Sequence, residues 1–188
     1  MLQRAMTFAG ALAALAMLSS SGFAQETAQV RAATIIHAGR LLADASNGRV
    51  LTEQSILVGA DGNIIAIQPG YVTQDGAAIV DERNRFVMAG LIDSHVHLTS
   101  ELGPNQLIEE VQLTVADQTM RGAENARKTL MAGFTTVADL GANNDAIFAL
   151  RRAIRENRAL GPRIIASGSA VTPDGGHADA NGFAPDIL

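Results

Sequence analysis

The chain has 188 residues, with 14 Lys and Arg against 19 Asp and Glu, a formal charge of −5 and no cysteine. The acidic balance argues against nucleic acid or an anionic membrane surface as partner, and the lack of cysteine excludes disulfides and lipid attachment through a thiol. Aromatic residues make up only 4% beside many small and aliphatic ones, as in an ordinary α/β enzyme held together by packing.

The first element in chain order is a leader. Arg4 is followed by an apolar run from Ala5 to Leu18 and then by small residues up to Ala24, the pattern of a secretory signal with cleavage after Ala24. Its apolar stretch of about 14 residues falls short of the ~20 needed to span a bilayer. Residues 1–24 are therefore expected to be a signal peptide, and the mature protein to be exported, periplasmic or secreted, with no stable membrane anchor.

Residues 25–88 read as short β-runs: Thr34 to Ala38, Ser55 to Val58, Asn63 to Ile67, Ala78 to Asp81 and Phe86 to Met88. Asp61-Gly62 between two of them predicts a two-residue hairpin turn with φ > 0 at both positions. The section is expected to be a small β-sandwich portion, and His37, a lone strand histidine among apolar neighbours, to be structural.

Met88-Ala89-Gly90-Leu91-Ile92-Asp93-Ser94-His95-Val96-His97-Leu98 is the most informative stretch. Side chains alternate across a strand, so His95 and His97 share a face and can grip one metal ion together. The same alternation puts Asp93 with them and sends Ile92, Val96 and Leu98 to the other face, against a covering helix.

Helical spacing follows, with Leu113, Ala116, Met120, Ala123 and Leu130 on one stripe and Gly133 as C-cap. Phe134 to Ala138 reads as a second strand, and Asp139 at its end as a turn or N-cap residue, or as one that orients a metal ligand through a hydrogen bond. The next helix carries Ile147, Leu150 and Ile154 on one face and a solvated Arg151-Arg152 pair on the other. Gly161-Pro162 ends it, and Arg163 to Ser167 is a third strand. Alternating strands and helices predict a parallel sheet with right-handed crossovers.

The stretch from Met88 to Leu98 resembles the signature of the amidohydrolase superfamily, metal-dependent hydrolases whose first barrel strand supplies this histidine pair; the usual form has proline at Ala89, a change that touches no ligand. The resemblance implies an incomplete (β/α)8 TIM barrel, its first three strands over residues 89–188, because a full barrel takes about 250 residues. It also implies one or two divalent ions, zinc foremost, with His95 and His97 as metal ligands. The reaction implied is hydrolysis of a C–N bond in a dipeptide, N-acyl amino acid or cyclic amide by metal-bound hydroxide.

In the family a carboxylated lysine, further histidines and a catalytic aspartate come from later strands. Lys128, the only lysine, falls on a predicted outer helix and is not the bridging lysine; the resemblance implies that the general base lies beyond residue 188. The tail with Gly175-Gly176-His177 resembles a loop of the imidazolonepropionase-like and prolidase-like branch. There His177 would help bind a small-molecule or dipeptide substrate, or else be a solvated loop residue. The competing expectation is a non-catalytic truncated remnant that binds metal or a partner without turnover.

Overall fold

The structure is a computed structural model and describes residues 31–179. The signal peptide expected over residues 1–24 lies outside the described residues. The fold is mixed α/β, with two sheets in succession along the chain.

Strands β1 (Thr34–Asp44), β2 (Arg49–Val58), β3 (Ile64–Pro69) and β4 (Ala78–Val87) form the first sheet in the order β3-β2-β1-β4. The first three pair antiparallel and β4 runs parallel to β1. Ile35 and Leu57, direct cross-strand partners, are buried with Ala32 under Val72 and Ala77, while Ala38, Leu41 and Ile56 make a second small cluster. His37 is buried against the Tyr71 ring and donates from Nε2 to the Val72 carbonyl at 2.8 Å, a structural histidine as expected.

Two local readings differ. The runs Ala78 to Asp81 and Phe86 to Met88 lie almost wholly in one strand, because β4 loops out its charged middle and continues. The register passes from Ala38↔Glu82 to Arg40↔Phe86, and Gly39 permits it, since a Cβ there would lie 1.9 Å from the Arg83 carbonyl. The hairpin at Asp61-Gly62 exists, but its turn is longer, closed by Gly59 N–H on the Asn63 carbonyl at 2.9 Å. Only Gly62 of the two has positive φ (79°), because the Asp61 carboxylate accepts from the Asn63 backbone and side chain and fixes the bend itself.

The second sheet is fully parallel: β5 (Leu91–Val96), β6 (Phe134–Asp139) and β7 (Arg163–Ala166) lie in that order. Helices α1 (Gln106–Gln112) and α2 (Val115–Met131) connect β5 to β6, and α3 (Asn144–Arg155) connects β6 to β7. Helix α1 was not legible in the sequence: it buries no residue and has no side-chain cap. Helix α2 opens on a capping box in which Thr114 Oγ1 accepts from Asp117 N–H and the Asp117 carboxylate accepts from Thr114 N–H.

The buried side of α2 is Gly122 and Ala126, with Ala123, while Met120 on the expected stripe is 71% exposed. Close approach explains this: a Cβ on Gly122 would come within 2.9 Å of Leu150 and 3.1 Å of Thr99. Helix α3 is capped by the Asn143 side chain and buries Ala146, Ile147 and Leu150, with Arg151 and Arg152 in solvent as expected. Leu98, Val137, Ile147, Leu150 and Ile164 form the core between this sheet and its helices.

Candidate metal centre

Strand phase decides where the histidines go, and the phase breaks within the motif. Asp93 pairs with Val137 and Val96 with Asp139, so β5 holds one more residue than β6 over that interval. Paired residues of neighbouring strands share a face, and the extra residue is a β-bulge. Asp93 therefore lies on the side of Val96 and Val137, toward the helices, and not beside the histidines. Ile92 changes sides in the opposite sense and is 71% exposed, away from the helical core. Val96 and Leu98 pack against the helices as expected.

His95 and His97 both flank Val96 and share the face opposite it. Their rings meet edge to face with centroids 5.2 Å apart. His97 Nδ1 lies 2.8 Å from the Gly141 carbonyl; a carbonyl only accepts, so Nδ1 is the donor, and in the neutral ring Nε2 is the nitrogen with the free lone pair. Such a bond fixes the ring and its tautomer in metal-ligating histidines. The His95 ring makes no hydrogen bond among the described residues, while its backbone N–H donates to Asp93 Oδ1 at 3.0 Å.

Behind the pair, Asp139 is fully buried. It accepts Leu98 N–H on Oδ2 at 2.8 Å and Gly141 N–H on Oδ1 at 3.3 Å. Burial pushes its carboxyl above the usual range, while those two amides and the nearby His97 pull in the other direction. It caps no helix; that role belongs to Asn143. Asn125 Nδ2 donates to the Leu98 carbonyl at 3.1 Å.

His177 is exposed in a turn where Gly175 has φ 71° and Gly176 N–H donates to the Pro173 carbonyl. The paired glycines bend the chain sharply, but the bend does not bring the imidazole to the other two. Among the described residues no cluster of three or more His, Asp or Glu is placed to hold a metal ion. Lys128 is on the surface of α2, paired with Glu124 at 2.8 Å. Gly141 and Asn125 escaped the sequence reading because one acts through a backbone carbonyl and the other from within a helix. Asp139 carried a signal, an acidic residue at the end of a parallel strand.

Residues 86–181 match the amidohydrolase family, and the chain belongs to it. Members of that family are generally metal-dependent. Among solved structures the chain is similar to a Xaa-Pro dipeptidase with methionine bound in its active site, at 33% identity and TM-score 0.72, over 82% of this chain and 38% of that one. It is also similar to a prolidase complexed with N-methylphosphonate-L-proline (28%, TM-score 0.67, 77% of this chain and 34% of that one). A third, an amidohydrolase, shares 30% identity at TM-score 0.67 over 81% of this chain and 36% of that one. The chain thus spans well under half the length of these structures. Comparison with curated proteins found no match.

Proposed function

We propose that this chain forms the N-terminal part of an exported hydrolase of C–N bonds, in which His95 and His97 are two of the ligands of a divalent ion, zinc foremost. In this reading β5, β6 and β7 are the first strands of a (β/α)8 barrel, and β1 to β4 belong to a small β-sandwich beside it. The substrate proposed is a dipeptide, ahead of an N-acyl amino acid or cyclic amide, on the strength of the dipeptidase and prolidase neighbours. Export rests on the leader at residues 1–24; among the described residues no helix is long and apolar enough to cross a membrane.

The carrying observation is the His97 ring, whose proton is committed to Gly141 and whose Nε2 is left as a donor atom beside His95. These residues fit a metal ion in kind, two imidazoles at the end of a parallel strand where βα loops build active sites. They fall short in number, since catalytic zinc takes three protein ligands. The remaining ligands and the general base are proposed to come from the portion of such proteins that this chain does not span. A divalent ion held there would supply Lewis acidity, making hydroxide available at neutral pH and polarising the carbonyl under attack. His97 would hold its own proton at Nδ1 throughout, so it positions and does not shuttle. His177 is proposed to reach substrate from its flexible-backbone glycine turn, not the metal.

For this chain by itself, the pair of imidazoles favours the second reading, metal binding without turnover. Calorimetric titration with zinc should therefore give weak binding that His95→Ala or His97→Ala abolishes, with no dipeptide hydrolysis. Tight stoichiometric binding, or binding indifferent to both substitutions, would overturn this assignment.

A further inference from the structure

Among the described residues Asp139 is the only fully buried carboxylate, and burying one is costly unless hydrogen bonds compensate it. Both of the amides that compensate it border on His97. Leu98 N–H belongs to the peptide bond that His97 itself forms, and Gly141 owns the carbonyl that receives the His97 ring proton. One carboxylate thus ties the backbone of the histidine to the backbone of its acceptor. The rest of the segment is clasped as well: Leu140 N–H donates to the Val96 carbonyl at 3.3 Å and Asn125 to the Leu98 carbonyl at 3.1 Å. His95 has no such brace on its ring.

We propose that Asp139 is a positioning residue for the metal centre, holding His97 in its Nδ1-protonated form with Nε2 presented, without touching the ion itself. The proposal rests on the reading of His95 and His97 as ligands. A neutral amide of the same shape could accept only one of the two N–H groups with its oxygen and would turn its own N–H toward the other. Asp139→Asn is therefore the informative change, and the buried His37, bonded to Val72 in the other sheet, is an internal control.

The test uses the whole chain, isotopically labelled and metal-free, with histidine tautomers read from long-range proton–nitrogen spectra above the imidazole pKa, followed by zinc titration. Wild type should show His97 protonated at Nδ1. Asp139→Asn should convert it to a mixture of tautomers and weaken zinc binding about tenfold, leaving His37 unchanged. A folded Asp139→Asn chain with the His97 tautomer intact overturns the proposal, whatever its zinc affinity. If that variant does not fold, scalar coupling across the hydrogen bond from the Leu98 amide to the Asp139 carboxylate in wild type decides: detected, it supports the proposal; absent, it overturns it. Failure of the metal reading is separately visible, as zinc binding that His97→Ala does not diminish.

Discussion

His95 near the end of β5 and His97 just past it are two residues apart, yet the chain treats them differently. The ring of one is bonded to a carbonyl at 2.8 Å and its peptide is gripped by a buried carboxylate, whereas the other is held by its backbone alone. The pair itself was legible, since spacing fixes a shared face on either side of Val96. Asp93 and Ile92 were misplaced because alternation was carried through a bulge, which leaves no mark in a single sequence. A charged contact elsewhere offers a clean test of local electrostatics. Arg83 donates to both oxygens of Asp81, at 2.8 and 2.6 Å, and holds that carboxyl down to about 2. A carboxyl lowered in the folded state lends stability above its unfolded pKa and loses it as pH falls through the folded one. The contribution should hold down to about pH 4 and vanish as the pH drops to about 2. Carbon NMR titration should show Arg83→Ala raising Asp81 toward the ordinary range, with the residue-83 backbone N–H still donating to it; no change would refute the pairing.

At the level of elements, each described strand and both longer helices contain a run read from the sequence, because periodicity and punctuation by Gly, Pro and Asn reflect local physics, but β1 and β2 extend well beyond their runs and β4 joins two of them. What failed was the choice of face on α2. A hydrophobic stripe favours Met120, and Leu113 of that stripe falls before α2 begins, but the helix is seated by its smallest residues, Gly122 and Ala126. Gly122→Ala puts two effects in opposition. Alanine gains roughly 0.5–1 kcal/mol of helical preference, while a Cβ 2.9 Å from Leu150 overpacks a close contact at a cost of about 1–3 kcal/mol. The balance predicts a net loss of about 1 kcal/mol; a denaturant midpoint equal to or above wild type would show that the helix shifts outward freely.

Across the whole molecule, the extensive contacts between elements all lie within one sheet or within the other sheet and its helices, among the described residues. Two cores follow, one around Ile35 and Leu57 and one around Leu150 and Val137. Leu150→Ala should cost about 2–5 kcal/mol, felt by amide exchange in β5 to β7, with β1 to β4 protected as before. Equal loss of protection in both sheets would instead mean one cooperative unit. The first sheet's parallel strand β4 and the continuity of its charged middle were the least legible part of the architecture, since the charged residues Glu82 to Arg85 divided its apolar pattern into two runs and became an outward loop of a strand permitted by Gly39.

The irregularity in β5 separates two things that a motif search treats as one. Were Ser94 deleted, the letters His-x-His would survive untouched, but the extra residue of β5 between Asp93 and Val96 would be gone and the strand would have to run in step with β6 from Ile92 onward. Either the twin rings or the Ile92–Asp93 leg would then swing to the opposite side of the sheet. Spelling alone does not make a ligand pair; the count of residues leading up to it does.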